Sequence, residues 1–270
     1  ALAVNEAGEL MVLGNTRASN DVYYADWRRL FAGDGEVIAT GDTGGFDVSR
    51  IAASGDDWII AHLLAPNTSG GDQDPLGREA FGTFGIGRVN HLFESEWSTE
   101  LANTREIGEI GALDGGGILL SGSVLNTANA FQYAHDGFIA AYDNGGSLAW
   151  QRLDPDDGGP RDCHPAAAFP DGAAAVGCVT SGRQVTFRRY HPDGTQAAQT
   201  PLGVVNQASE WINYWAFGRT YPTMAAGTNG QTALVIADRV LKVAQNATVE
   251  WDQTFQETGE EQFLSAAFDG

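Results

Sequence analysis

A hairpin that recurs along the chain constrains its fold more than any other feature. The clearest copy is Asp136 to Leu153, DGFIAAYDNGGSLAWQRL. Phe138, Ala140 and Tyr142 alternate at a period of two, Asn144-Gly145-Gly146 follows, and Leu148 to Leu153 returns. Asparagine and glycine accept the positive φ angles of a close turn, so the stretch predicts two strands joined tightly.

Two hairpin types alternate. The first joins apolar strands across a turn of small or acidic residues, at 1–14, 48–63, 108–123, 164–179 and 222–237, and a sixth copy, FLSAAFDG, occupies 263–270. With Gly8, Asp56, Gly115, Gly172 and Gly230 as turn markers, successive copies lie 48, 59, 57 and 58 residues apart. The second type runs over 27–41, 86–101, 136–153, 185–202 and 239–255, and carries Trp97, Trp150 and Trp251 at matching places after the turn. Each period therefore holds four short strands.

A lone four-stranded sheet of this kind leaves an apolar face bare, and packing like units around an axis covers both faces. The expected fold is all-β: a β-propeller of four-stranded antiparallel blades, with residues 1–270 forming one domain. The repeats supply five complete units plus the first strand of another, hence a ring of five to seven blades. Six or seven follow if the chain is part of a larger ring, five if the ring closes with a redundant strand. Small residues on the first strands (Ala166 to Ala168, Ala225, Ala226, Ala266, Ala267) suit the crowded axis, and the three tryptophans suit the wider gaps between blades.

The 35 glycines, 10% aromatics and 19% charged residues fit a turn-rich chain of this class. A net charge of −20 counts against nucleic acid or an anionic membrane surface as partner. No apolar run reaches the ~18 residues of a spanning helix, so membrane insertion is not expected. No cofactor is predicted. Calcium gathered by acidic groups is the alternative to a surface that only keeps the chain soluble.

Cys163 and Cys178 flank the turn Pro170-Asp171-Gly172. A two-residue turn at Asp171-Gly172 sets Cys163 opposite residue 180, so a bridge to Cys178 needs a bulge or an open hairpin end. A disulfide is expected, and with it an extracytoplasmic location: secreted, periplasmic or at the cell surface. Two small buried thiols are the alternative.

The stretch 136–153 resembles the repeat of secreted bacterial β-propeller proteins, in which a Gly-Phe strand leads to Tyr-Asp, a Gly turn and Leu-x-Trp. RYHPDGTQAAQ (189–199) and KVAQNATVEWDQTF (242–255) are degenerate versions. The resemblance implies an exported scaffold. Gly146-Ser147-Leu148-Ala149-Trp150 is also similar to quinoprotein dehydrogenase blades, but their Ala-x-Asp-x-x-Thr-Gly signature is not repeated. Sialidase Asp-boxes are approached at Asp143-Asn144-Gly145, with Trp150 too late in the sequence.

Propellers carry function on loops, so the segments between hairpins hold the candidates. Asp154, Asp156, Asp157 and Asp162 surround Arg161, a carboxylate group suited to a hard cation or to an acidic turn. Asp72, Asp74 and Glu79 lie in a Gly/Pro-rich segment that lacks the calcium-loop pattern. Trp211, Tyr214, Trp215, Phe217 and Tyr221 accompany Glu210, Asn213 and Arg219 in a connector between units. They predict a platform for a sugar or flat ligand, or else a plug over the ring. Tyr23, Tyr24, Trp27, Arg28 and Arg29 form a weaker cluster, and His91, His135, His164 and His191 fall in different units. No nucleophile triad, paired-histidine metal motif or phosphate loop is present. The expected function is a non-enzymatic scaffold that binds a glycan or protein partner through its face loops. The alternatives are a polysaccharide-acting hydrolase or lyase, and a structural segment of a large surface protein.

Overall fold

The computed structural model describes residues 2–17, 24–42, 47–66, 82–125, 135–154, 161–180, 184–204, 223–236 and 239–254. Blade 1 is the meander β1 (Leu2–Val4), β2 (Leu10–Arg17), β3 (Tyr24–Phe31) and β4 (Val37–Asp42). A seven-stranded sheet follows: β5 (Asp47–Ser54), β6 (Asp57–Pro66), β7 (Gly82–Val89), β8 (Ser95–Ala112), β9 (Ile118–Leu125), β10 (His135–Tyr142) and β11 (Leu148–Asp154). The next meander is β12 (Arg161–Ala168), β13 (Ala174–Thr180), β14 (Gln184–Tyr190) and β15 (Gln196–Val204). The last is β16 (Thr223–Ala226), β17 (Thr232–Ile236), β18 (Arg239–Val243) and β19 (Val249–Thr254). The fold is the all-β propeller that the repeats predict.

The seven-stranded sheet is blades 2 and 3 joined through β8. This strand pairs with β7 as far as Gly82↔Thr104 and with β9 from Thr104↔Val124 onward. Both ends of β8 lie at the same edge of the blades, because Arg88 beside Trp97 reaches the Gly116 carbonyl just beyond Ala112. The chain therefore doubles back at Asn103, whose φ of 55° is a left-handed conformation asparagine tolerates. Blades 4 and 5 are the last two meanders.

Nine hairpins share one turn. In each, the first residue's N–H donates to the fifth residue's carbonyl and the fourth residue's N–H to the first's, from Asn5–Glu9 through to Ala244–Thr248. The fourth residue takes positive φ: glycine in seven, Phe93 (62°) and Ala247 (64°) in two. This is the three-residue hairpin loop, a type I turn closed by a left-handed residue. It also explains the disulfide. The loop Pro170–Gly172 moves the pairing by one position, to Ala168↔Ala174, and a bulge between Cys163 and Ala166 moves it by another. Cys163 then stands opposite Cys178, and the two are bonded.

Alternation along each strand sends neighbouring residues to opposite faces, and so to different cores. Four buried clusters result, one per junction of successive blades. Trp58 and Ile60 join Met11 and Leu30 between blades 1 and 2, while Ile59 joins Ile118 and Phe138 between blades 2 and 3. Leu119 and Trp150 meet Val176 and Tyr190 between blades 3 and 4, and Phe187 meets Leu234 and Leu241 between blades 4 and 5. The inner strands β1, β5, β8, β12 and β16 touch in that order. Ala166 and Ala167 are buried there, as expected of small residues at the axis.

Two of the three repeated tryptophans fill junctions. A side chain on Gly146 would strike the Trp97 ring at 2.5 Å, and one on Gly194 would strike Trp150 at 2.5 Å, so a left-handed glycine of each next blade makes the room. Trp150 also stacks on Tyr190 at 5.9 Å and donates from Nε1 to the Pro192 carbonyl at 2.8 Å. Trp251 departs from the expectation: it is 43% exposed. Among the described residues no core cluster joins blade 5 to blade 1, so nothing of this kind covers it.

Candidate binding faces

An antiparallel meander puts successive connections at opposite edges, so the two faces of the ring differ in kind. The uniform turns, within each first and second hairpin, share one face. The ends that flank 18–23, 67–81, 126–134, 155–160, 181–183 and 205–222 share the other, the same face as the reversal at Asn103. Three segments singled out by composition, around Asp72, Asp156 and Trp211, thus depart from one face.

Of those candidates, Glu210, Trp211, Asn213, Tyr214, Trp215 and Arg219 lie outside the described residues, as do Asp72, Asp74, Glu79, Asp156 and Asp157. Asp162 is on β12, paired with Val179. Asp154 ends β11 and is buried, its Oδ1 accepting from Arg188 Nη2 at 2.8 Å. Burial pulls the Arg188 pKa down, but the Asp154 carboxylate and the Tyr190 hydroxyl together outweigh this and raise it above the ordinary arginine value. Asp154, Cys163 and Cys178 also place potential ligand atoms within 4.8 Å of one another. Both sulfurs are spent in the disulfide, which leaves one carboxylate already committed to an arginine. Of the four histidines named from the sequence, His91 and His191 sit in exposed turns of different blades, and His135 and His164 lie on β10 and β12.

The turn face carries a hollow of about 520 Å³ where the inner turns of blades 1, 2 and 3 converge. Asn5, Glu6, Ser54, Gly55, Asp114 and Asn144 are among its walls. Glu6 N donates to the Gly55 carbonyl at 3.0 Å and Asn5 Nδ2 to the Asp56 carbonyl at 2.9 Å, which ties blade 1 to blade 2. Arg88 forms the floor. Its guanidinium meets Asp57 at 3.1 Å and Glu96 at 3.3 Å, donates to the Ser54 carbonyl at 3.3 Å and Gly116 carbonyl at 3.4 Å, and reaches Asn144 Oδ1. Its charge is balanced and its donors are engaged, so it staples turns together instead of offering an anion site. The exposed acids of the rim, Glu6 and Asp114, favour a cationic group.

A second cavity, about 360 Å³, lies between blades 1 and 2 and is lined by Arg28, His62, Phe93, Ser95, Ser98 and Glu100 among others. The Arg28 guanidinium lies 4.4 Å from the Phe93 ring centre. Burial, then the Arg28 charge, pushes the His62 pKa below the usual histidine value, and its buried Nδ1 has no hydrogen-bond partner among the described residues. His62 was not among the histidines singled out from sequence. It sits in the apolar strand DWIIAHLLAP, where nothing marks it as polar chemistry.

No family model and no curated protein matches the chain. Solved structures do. The Dos1 propeller aligns with a TM-score of 0.57 at 6% identity, over 96% of this chain and 72% of that one. The β-propeller domain of the Trilobed protease from Pyrococcus furiosus aligns at 0.55 and 8%, over 99% and 74%. The WD40 domain of Neurospora crassa Pan2 aligns at 0.55 and 8%, over 94% of this chain and 64% of that one. At such identities the shared property is the propeller fold.

Proposed function

We propose that the chain is an exported, non-enzymatic scaffold that binds a glycan or a protein partner on the face of the long connections. One observation supports the reading: the described strand ends that flank the aromatic segment 207–221 and the acidic segments lie at one face, while the other face carries near-identical tight turns. Aromatic rings give rigid apolar area, and Glu210, Asn213 and Arg219 between them supply orienting polar groups. The Cys163–Cys178 bridge supports an oxidising compartment. No helix among the described residues is long and apolar enough to cross a membrane.

The test is a glycan array and a pull-down of surface proteins with the parent chain, Trp211→Ala and Trp215→Ala. Loss of the captured ligand with an unchanged melting curve supports the reading; loss of stability in both variants makes the segment a plug and overturns it. A second reading rests on the hollow over Arg88, where Glu6 and Asp114 would take a basic side chain of a protein partner. Under that reading Glu6→Gln with Asp114→Asn abolishes capture, and the tryptophan variants do not.

A further inference from the structure

Three junctions bury the same layer of apolar side chains, and the junction of blades 1 and 2 departs from them. Three residues before the end of the third strand, Ile86, Ile139 and Phe187 pack into the cores ahead of blades 2, 3 and 4. In blade 1 that place belongs to Arg28. Across the junction, His62 pairs with the residue four before the end of its third strand, as Gly122, Cys178 and Ile236 do in the later blades. Two ionisable groups thus replace the apolar or small residues of the other junctions.

Bulk is withdrawn there from both sides. Two residues before the strand end, blades 3 and 5 bury Ala140 and Leu241, whereas blade 2 has Gly87, and its Gly85 stands where blade 3 has Phe138. Blade 1 contributes Ala39 at the place of Trp97 and Trp150. The cavity of about 360 Å³ occupies the room so made, walled by Ile60, Leu64 and Val89 and reaching solvent at exposed Ser95, Ser98 and Glu100. Arg28 is fixed at its side, over the Phe93 ring and 3.5 Å from the Phe93 carbonyl, in a gap where a Cβ on Gly41 would lie 3.1 Å from Nε. A cation so held is preorganised, and the five donors of a guanidinium let it serve a ligand beside its protein partners. The buried His62 Nδ1, without a hydrogen-bond partner among the described residues, costs stability unless another molecule bonds to it.

We propose that this cavity binds a small organic carboxylate with an apolar body, the carboxylate on Arg28 and His62 and the body against Ile60, Leu64 and Val89, over Gly85 and Gly87. Arg28 supplies the charge, and His62 adds one N–H donor in its Nδ1–H tautomer. The two glycines leave the strand surface open to the ligand's body. Glu100 stands at the mouth, where an α-ammonium group would meet it, so a free amino acid and a simple carboxylic acid are the two sources of this chemistry. The site lies within a blade junction, and the inference does not depend on what the face loops bind.

Calorimetric titration of the full chain tests this, with leucine, phenylalanine, isocaproate and phenylacetate each set beside its carboxamide. At least one acid should bind, and its carboxamide should bind about ten- to a hundredfold more weakly, the loss of one charged hydrogen bond. Tighter binding of the amino acids names them as the source, and Glu100→Gln should then weaken them alone; tighter binding of isocaproate or phenylacetate names the simple acid. Arg28→Met should bring the acid down to the level of its carboxamide. Ser98→Phe fills the mouth from an exposed strand position and should abolish binding with the melting curve unchanged, which keeps the test sound should Arg28→Met fold poorly. The proposal is overturned if no acid binds, if a carboxamide binds as tightly as its acid, or if Ser98→Phe binds as the parent does.

Discussion

Trp150 and Trp251 occupy the same place in the repeat and live in different surroundings. Trp150 is 8% exposed, stacked on Tyr190 and bonded to the Pro192 carbonyl of the next blade; Trp251 is 43% exposed and belongs to no core cluster among the described residues. The repeat therefore fixes where a side chain points, and the neighbouring blade decides what the position contributes. In a quasi-one-dimensional array most of the stability of a terminal unit lies in the interface it has, not in its own sheet.

The sharpest way to break that comparison is to truncate both rings. Trp150→Ala should cost about 3–5 kcal/mol, the range for removing a large buried aromatic, and Trp251→Ala should stay within about 0.5 kcal/mol. Urea unfolding of the two variants beside the parent measures both. Equal losses would mean that the two positions share one environment, and the contrast would fall.

The sealed junction of blades 3 and 4 is also where the covalent link lies. Reducing Cys163–Cys178, which closes a 15-residue separation, should lower stability by about 3 kcal/mol on the loop-entropy view. Melting with and without reductant reads the effect. Because Cys163 and Cys178 belong to the same core as Trp150 and Tyr190, reduction should also shift Trp150 fluorescence, leaving that of exposed Trp251 in place. Asp154→Ala should come next, at about 2–3 kcal/mol, because it strands a largely buried Arg188 without its carboxylate. Asp154→Ala with Arg188→Met should recover most of that loss. A double variant no more stable than the single one would show that Asp154 matters for something other than the pair.

The fold was legible because its signal is periodic. Turn residues recur on a fixed spacing, and a period of two between them leaves few alternatives to stacked four-stranded units. Cysteine pairing was legible in outline, but the register depended on a bulge at His164-Pro165 that no propensity rule locates. The shared strand β8 was not legible. Sequence places two hairpins on either side of 102–107, and only the left-handed Asn103 joins them into one folded-back strand. The exposure of Trp251 escaped sequence for another reason: a motif records the position within a unit and says nothing of whether the next unit is there. Phe93 and Ala247 escaped for a third. They take the turn position reserved elsewhere for glycine, Phe93 packing against Arg28 of blade 1 and Ala247 lying buried between blades 4 and 5. Where a neighbouring blade presents small Ala39 or Ala198 in place of tryptophan, a larger turn residue fits.

The smallest expected effect concerns what a sealed junction can hold that an open side cannot. His62 lies between blades 1 and 2 with a pKa lowered by burial and by Arg28, so the folded chain keeps it neutral where the unfolded chain, at about 6.5, begins to take a proton. Above pH 6.5 both states are neutral there and the group contributes nothing to the pH dependence. As pH falls through 6.5 the unfolded state binds more protons and stability drops, and the drop is complete once pH passes below the folded pKa. The slope in that window cannot exceed about 1.4 kcal/mol per pH unit for one group. Urea midpoints of the parent against His62→Gln, taken in steps from pH 7.5 downward, isolate it: the variant should be flatter just below pH 6.5 and parallel to the parent above it. If His62→Gln leaves the curve as steep below pH 6.5 as the parent's, the junction does not shield its imidazole, and the distinction between sealed and open sides loses its electrostatic half.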